Sequence, residues 1–361
     1  MKALLLCAAL LGACARTLPE AYVRGRDSAE SAYGSGHFAD AAQRWLEAAQ
    51  GAGTPRDRSE ARYRAATSFE RAGQLDRARE LYRLLASGQS ERAARSTFAL
   101  ADLRLQSGDE PGGNAELEAA IRKYPSSGVA NLALRRYFAA LAGHGGDQAV
   151  LDYIQHVEPE LRKTELVEQL LYERGRRLEA QGATARARDA YVDLAQRYPY
   201  PHGAYWDDAL LRAADCEVRL GQPERAIAPL EQMLVAREAS HFSGSYERPR
   251  FAEAAYRLAE LYRDQRHDAA AARRAFHSVF VDYPSSTLRD DALWQEALLA
   301  RRASNAAACA PLALLVAQLQ DSRYAPCAHE ICVRIASIPS RTCAKYLARE
   351  FGEQKPEPKP E

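Results

Sequence analysis

Residues Leu171 to Pro199 read LYERGRRLEAQGATARARDAYVDLAQRYP. The stretch predicts a helix, a tight turn and a second antiparallel helix. Small residues stand where the two helices must touch, at Gly175 on the first and Ala187 on the second. Gly182 lies between them, where the chain has to reverse. Tyr191 is one turn beyond Ala187 and is expected to plug the gap towards the next unit, and Pro199 ends the second helix.

The same pattern recurs in both directions. The small residue opening a second helix falls at Ala41, Ala78, Gly113, Ala187, Ala226 and Ala272, with weaker candidates at Ala149 and Cys309. A bulky residue follows one helical turn later at Trp45, Tyr82, Leu117, Tyr153, Tyr191, Leu230 and Phe276, so both lie on one face. Gly36, Gly73, Gly108, Gly182 and Gly221 mark the hairpins. Tyr124-Pro125, Tyr198-Pro199 and Tyr283-Pro284 end second helices. Two of these continue as YPSS, where Ser126-Ser127 and Ser285-Ser286 are expected to cap the helix that follows. Two places are less regular: Ala130 to Glu160, with a loose Gly143-His144-Gly145-Gly146 turn, and Ser240 to Arg250, a lengthened connection.

The 361 residues are rich in Ala, Leu, Arg and Glu and poor in Val, Ile and Thr, which favours helix over sheet. A formal charge of +1 gives no sign of a nucleic-acid partner. The pattern resembles the tetratricopeptide repeat (TPR), a unit of about 34 residues that stacks into a solenoid. The resemblance implies an all-α right-handed superhelix of about seven to eight helix pairs over residues 21–322. It also implies a concave groove lined by the first helices.

Met1 to Cys14 read MKALLLCAALLGAC: a lysine, an apolar run of about nine residues, then Leu11-Gly12-Ala13-Cys14. The run is well short of the roughly 20 residues a spanning helix needs. It resembles the lipobox of bacterial lipoproteins, which implies that residues 1–13 are removed and that Cys14 is acylated, with 14–20 as a tether. Ala15, rather than an aspartate, follows the cysteine, and by that resemblance the protein belongs to the outer membrane, facing the periplasm. Lipobox and YPSS junctions together resemble periplasmic TPR lipoproteins of outer-membrane assembly, such as the Bam-complex TPR subunit, and the Tol-Pal-associated TPR protein. Envelope proteins or peptides are the partners that this implies, with the membrane met through the lipid alone.

The final part differs. Cys309, Cys327, Cys332 and Cys343 crowd together, and in an exported chain they read as two disulfides stapling a cap at 323–353, with three pairings open. The competing reading is a metal site at Cys327, His329 and Cys332, but the paired Cys-x-x-Cys spacing is missing. The tail 354–361, within QKPEPKPE, has a disordered composition.

The chain contains none of the residue sets that carry catalysis. His329-Glu330 begins like a zinc-protease helix but lacks the second histidine, and there is no Gly-rich phosphate loop or nucleophile elbow. No enzyme and no cofactor are expected. A groove position three residues before each Gly175-type contact gives Tyr63, Phe98, Tyr172, Leu211, Tyr256 and Trp294, flanked by Thr67, Asp102, Arg176, Asp215 and Glu260. Aromatic anchors with alternating charge suit an extended or helical peptide, while the same tyrosines also suit packing between helices. Tyr198, Tyr200, Tyr205 and Trp206 read as packing at a junction. The expectation is a non-enzymatic scaffold in envelope assembly. The alternatives are a secretin or pilus assembly factor and a helical accessory of a cell-wall hydrolase.

Overall fold

The computed structural model describes residues 18–236, 249–338 and 341–353. Cys14 with its signal segment, most of the Ser240–Arg250 connection and the tail from Gln354 lie outside the described residues. Two compact units divide the chain, Met1–Val167 and Glu168–Glu361.

The first unit holds α1 (Glu20–Gly34), α2 (Phe38–Gln50), α3 (Pro55–Arg71), α4 (Leu75–Ala86), α5 (Glu91–Gln106), α6 (Glu110–Lys123) and the long α7 (Ala130–Leu161). The second holds α8 (Leu166–Ala180) from Glu168 on, then α9 (Thr184–Arg197), α10 (Trp206–Arg219) and a 3-10 turn at Pro223–Ala226 leading into α11 (Ile227–Val235). It continues with α12 (Pro249–Asp264), α13 (Ala269–Asp282), α14 (Arg289–Ala303) and α15 (Asn305–Gln318), followed by the short α16 (Ala328–Ile331) and α17 (Lys345–Glu353). Counting α7 as two halves, α1 to α15 make eight antiparallel pairs among the described residues. No strand occurs in them, and no helix is long and apolar enough to cross a membrane.

Local chemistry starts and stops these helices. Thr54 accepts from the Asp57 amide at 3.0 Å ahead of Pro55, and Ser90, Asp109, Asp268 and Ser304 cap α5, α6, α13 and α15 in the same way. Gly182 turns the chain at φ 73°, a conformation that costs glycine little and other residues more, and the other four hairpin glycines share it. In the pair α12–α13 His267 takes this role at φ 50°. The bulky second-helix positions are all buried, from Trp45 to Phe276. Alanines at 0 % exposure, such as Ala41, Ala78, Ala187 and Ala272, let the helices approach closely.

Two details differ from expectation. The loose Gly143–Gly146 turn is a single-residue kink: Gly146 alone departs from helical geometry, at φ 66°, because one positive-φ residue suffices to reverse the chain. The YPSS serines do not cap the next helix. Ser127 and Ser286 accept from amides two residues on, inside the turn, and Val129 and Leu288 hold the cap positions. Tyr191 is fully buried, packs on the first helix of its own pair and is acted on by Arg212 of the next first helix. A Cβ at Gly175 would lie 2.4 Å from its Cε1 atom, and its hydroxyl donates to Glu179 at 2.9 Å.

The C-terminal cysteines pair as Cys309–Cys332 and Cys327–Cys343. One bridge ties α15 to the end of α16, and the other ties the start of that turn to the segment before α17. Cys327 and Cys332, which bracket His329, are therefore both oxidised. The cap core includes Trp294, Leu312, Leu315, Ile331 and Leu347. Tyr324 stacks on Trp294 at 4.8 Å between ring centroids and 15° between planes.

Candidate partner-binding face

The recurrent groove position sits on the first helix of its pair, and its burial varies. Tyr63 on α3, Tyr172 on α8 and Tyr256 on α12 are half-buried. Each keeps one edge on a second-helix ring of its own pair: Tyr63 on Tyr82 at 5.9 Å, Tyr172 on Tyr191 at 6.0 Å and Tyr256 on Phe276 at 5.2 Å. Burial pushes the Tyr63 phenol up, and the Tyr256 phenol up to about 12, so these two hydroxyls stay protonated. Such a tyrosine keeps part of its ring for a partner while its other side is already packed.

Phe98 and Leu211 are buried, and Trp294 has 0 % exposure. Leu211 and Trp294 do not offer the contact surface that their register suggested, and Phe98 keeps only an edge on the cavity it lines. Leu211 is buried among the helices, and the cap covers Trp294 through Tyr324 and α17, whose Glu350 accepts from the Trp294 Nε1 at 3.4 Å. At the last pair the chain fills its own face.

The flanking charges are largely spent on one another across successive first helices. Asp102 receives Arg136 at 2.6 Å. Asp215 and Glu260 share Arg257, at 3.4 and 3.2 Å, and Asp208 and Glu253 share Arg250, both at 2.8 Å. Glu60 pairs with Arg92, and Asp291 with Arg323 at 2.7 Å. Burial raises the carboxyls of Asp215 and Glu260 even though Arg257 pulls them down. Arg176 pairs with Glu173 at 3.2 Å on its own helix. The result is a ladder of partly exposed ion pairs, each worth at most about 1 kcal/mol, that fixes one repeat against the next.

In the second unit the densest knot is Glu179. It accepts from Tyr191, from Arg212 at 3.1 Å and from Arg219 at 2.5 Å. Burial raises its carboxyl, but the bonds from Arg219 and Tyr191 win and hold it below the usual range. Arg212 also donates to the Tyr172 hydroxyl at 3.0 Å and lies over that ring. Tyr205 also stacks on Tyr172 at 4.7 Å, which brings one member of the junction cluster onto the face. Tyr172 is thus set by the α9–α10 connection as well as by α8.

In the first unit, residues of α3, α5 and α7 with Tyr82 of α4 enclose a cavity of about 220 Å³. Four positions foreseen from the register, Tyr63, Thr67, Phe98 and Asp102, line it together, with Glu70 between them. A larger cavity of about 500 Å³ opens elsewhere in this unit, where Arg79 is paired with Asp76 and Arg104 with Asp109 and Glu116. Register reasoning missed Glu70, Glu179, Tyr205 and Arg212. The signal for two of them was present: a glutamate seven residues after Tyr63 and Tyr172 recurs at the same step.

Residues 60–87, 208–235 and 253–286 match the tetratricopeptide repeat model. No curated protein matches the chain. Similar solved structures include the C-terminal part of a TPR repeat-containing protein from Cytophaga hutchinsonii, at 15% identity and TM-score 0.45, covering 73% of this chain and 98% of that one. A tetratricopeptide repeat protein from Parabacteroides merdae is similar at 12% identity and TM-score 0.33, covering 77% and 99%. The TPR domain of P58(IPK) follows at 16% identity and TM-score 0.26, covering 92% and 90%. With three matched stretches on antiparallel helix pairs, the fold is an all-α solenoid carrying tetratricopeptide repeats.

Proposed function

We propose that this protein is a non-catalytic scaffold that holds protein partners on the face formed by its first helices. It is tethered through a lipid on Cys14 to the outer membrane, faces the periplasm, and serves envelope assembly. One observation carries the binding reading: Tyr63, Thr67, Phe98 and Asp102, spaced along two first helices, converge on a single cavity. Side chains aligned along successive first helices can follow an extended or helical peptide, with half-buried tyrosines as rigid anchors. The address rests on Leu11-Gly12-Ala13-Cys14 and is supported by four cysteines joined in two disulfides, chemistry that favours an oxidising compartment.

The test is recovery of envelope proteins on the purified chain after mild crosslinking. A Tyr172→Ala, Tyr256→Ala variant, with its helical content checked by circular dichroism, should lose partners that the wild type and a Leu84→Ala control retain. Equal recovery by all three would remove the face from the account. For the address, metabolic labelling with palmitate should mark the wild type and not Cys14→Ser.

A further inference from the structure

Comparison of the two units points to a vacancy shaped for a basic side chain. The pairs α3–α4 and α8–α9 carry the same residues in the same arrangement. Tyr63 and Tyr172 pack on Tyr82 and Tyr191, and the hydroxyls of those second-helix tyrosines donate to Glu70 at 2.8 Å and to Glu179 at 2.9 Å. The surroundings of the two glutamates then diverge. Glu179 receives the guanidinium of Arg212 from the next first helix, and that of Arg219. Aligning Phe98 with Leu211 places Ala99 where Arg212 stands and Gln106 where Arg219 stands. A methyl group cannot cross the gap, so Glu70 keeps Tyr82 as its side-chain partner and borders the 220 Å³ cavity.

The other junctions sharpen the contrast. At three of them the residue one place after the face position reaches across, Arg212 to Tyr172, Arg257 to Asp215 and Gln295 to Arg263 at 2.7 Å, whereas Arg64 after Tyr63 pairs with Glu60 on its own helix. Aligning the two YPSS turns sets Arg136 opposite Gln295, and it reaches Asp102. Ala99 alone of this series is small. Arg95 also lines the cavity, but it stands one turn earlier on α5, its Nε is held by Glu91 at 2.8 Å, and its further interaction is with the Tyr63 hydroxyl and not with Glu70. Arg136 is likewise committed to Asp102. The pocket therefore combines the Glu70 carboxylate, the aromatic walls Tyr63 and Phe98, the already paired Arg95, Asp102 and Arg136, and a volume below the roughly 300 Å³ at which small-molecule sites begin. That is room for one side chain.

We infer that the cavity takes an arginine or lysine side chain of a partner polypeptide, docked on Glu70 where Arg212 docks on Glu179. This rests on the reading of the first-helix face as a peptide-binding surface and names what one of its pockets selects.

The test uses the full chain with labelled alanine and leucine methyls and follows Ala99, Leu117, Leu132 and Ala133, which line the cavity. The probes are the peptide acetyl-Ala-Ala-Arg-Ala-Ala-amide and its counterpart with citrulline in place of arginine. The arginine peptide should shift these methyls, and the neutral counterpart should do so about tenfold more weakly or not at all, since a charge-assisted bond is lost. Glu70→Gln, which preserves shape and an acceptor for Tyr82, should weaken the arginine peptide by about tenfold. Ala99→Arg should fill the vacancy from within, abolish the shifts and leave the melting temperature unchanged or higher. Equal shifts from both peptides, an unchanged Glu70→Gln, or no shift at millimolar peptide would each overturn the inference. So would an Ala99→Arg chain that binds like wild type or melts well below it. These outcomes leave Tyr172 and Tyr256 in the second unit untouched, so failure here is separable from failure of the face as a whole.

Discussion

Glu179 and Glu70 occupy equivalent places, yet one is held by three donor side chains and the other by one, and truncating each to alanine measures what the difference is worth. In Glu179→Ala the Tyr191 hydroxyl loses its acceptor on a residue with 0 % exposure, a cost of about 1.5 kcal/mol. The pairs with Arg212 and Arg219 are partly exposed and contribute about 0.7 kcal/mol each. The sum is about 3 kcal/mol. In Glu70→Ala only the bond from the buried Tyr82 is lost, about 1.5 kcal/mol. Amide hydrogen exchange in α9 should therefore accelerate about tenfold more in the first variant than exchange in α4 does in the second. The excess is also pH-dependent. The Glu179 carboxyl lies below its ordinary value of 4.5 when folded, so its contribution is complete above that pH and fades as pH falls further. Repeating the comparison near pH 3 should narrow the gap between variants. Equal acceleration at neutral pH, or a gap that widens in acid, would refute the hub and with it the contrast that leaves Glu70 open.

Two further outcomes follow from packing and covalent constraint. Gly175→Ala, whose new methyl would lie 2.4 Å from the Tyr191 ring, should cost about 1–3 kcal/mol in urea unfolding, and Tyr191→Leu in the same chain should recover part of it. Reducing Cys309–Cys332 and Cys327–Cys343, which close segments of 23 and 16 residues, should lower cap stability by about 3 kcal/mol per bridge. A thermal scan with and without reductant, read at Trp294, measures that loss.

The repeat was legible because its determinants are local. Gly182 needs only its own φ, and Ala187 and Tyr191 need only the helix they face, so Leu171–Pro199 supplied a template that held from Ala41 to Ala272. The cap disulfides were legible in number but not in pairing, since connectivity depends on how α15, α16 and the turn before α17 meet. The face was only half legible. Its register located Tyr63, Phe98, Tyr172 and Tyr256, but could not say that Leu211 is buried or that Tyr324 closes over Trp294. The charge ladder was harder still. Arg136, Arg212 and Arg250 reach partners 34, 40 and 42 residues back, and no fixed period captures contacts whose spacing changes with each connecting loop.

Site-specific photo-crosslinking in cells tests the central claim most directly. A benzophenone side chain placed at Thr67, Arg176 or Glu260 lies on the first-helix face, whereas one at Leu84 or Val281 projects from a second helix, where both residues are more than half exposed. The account predicts adducts with envelope polypeptides from the first three positions and none from the other two. Adducts confined to Leu84 and Val281, or equal at all five, would contradict it.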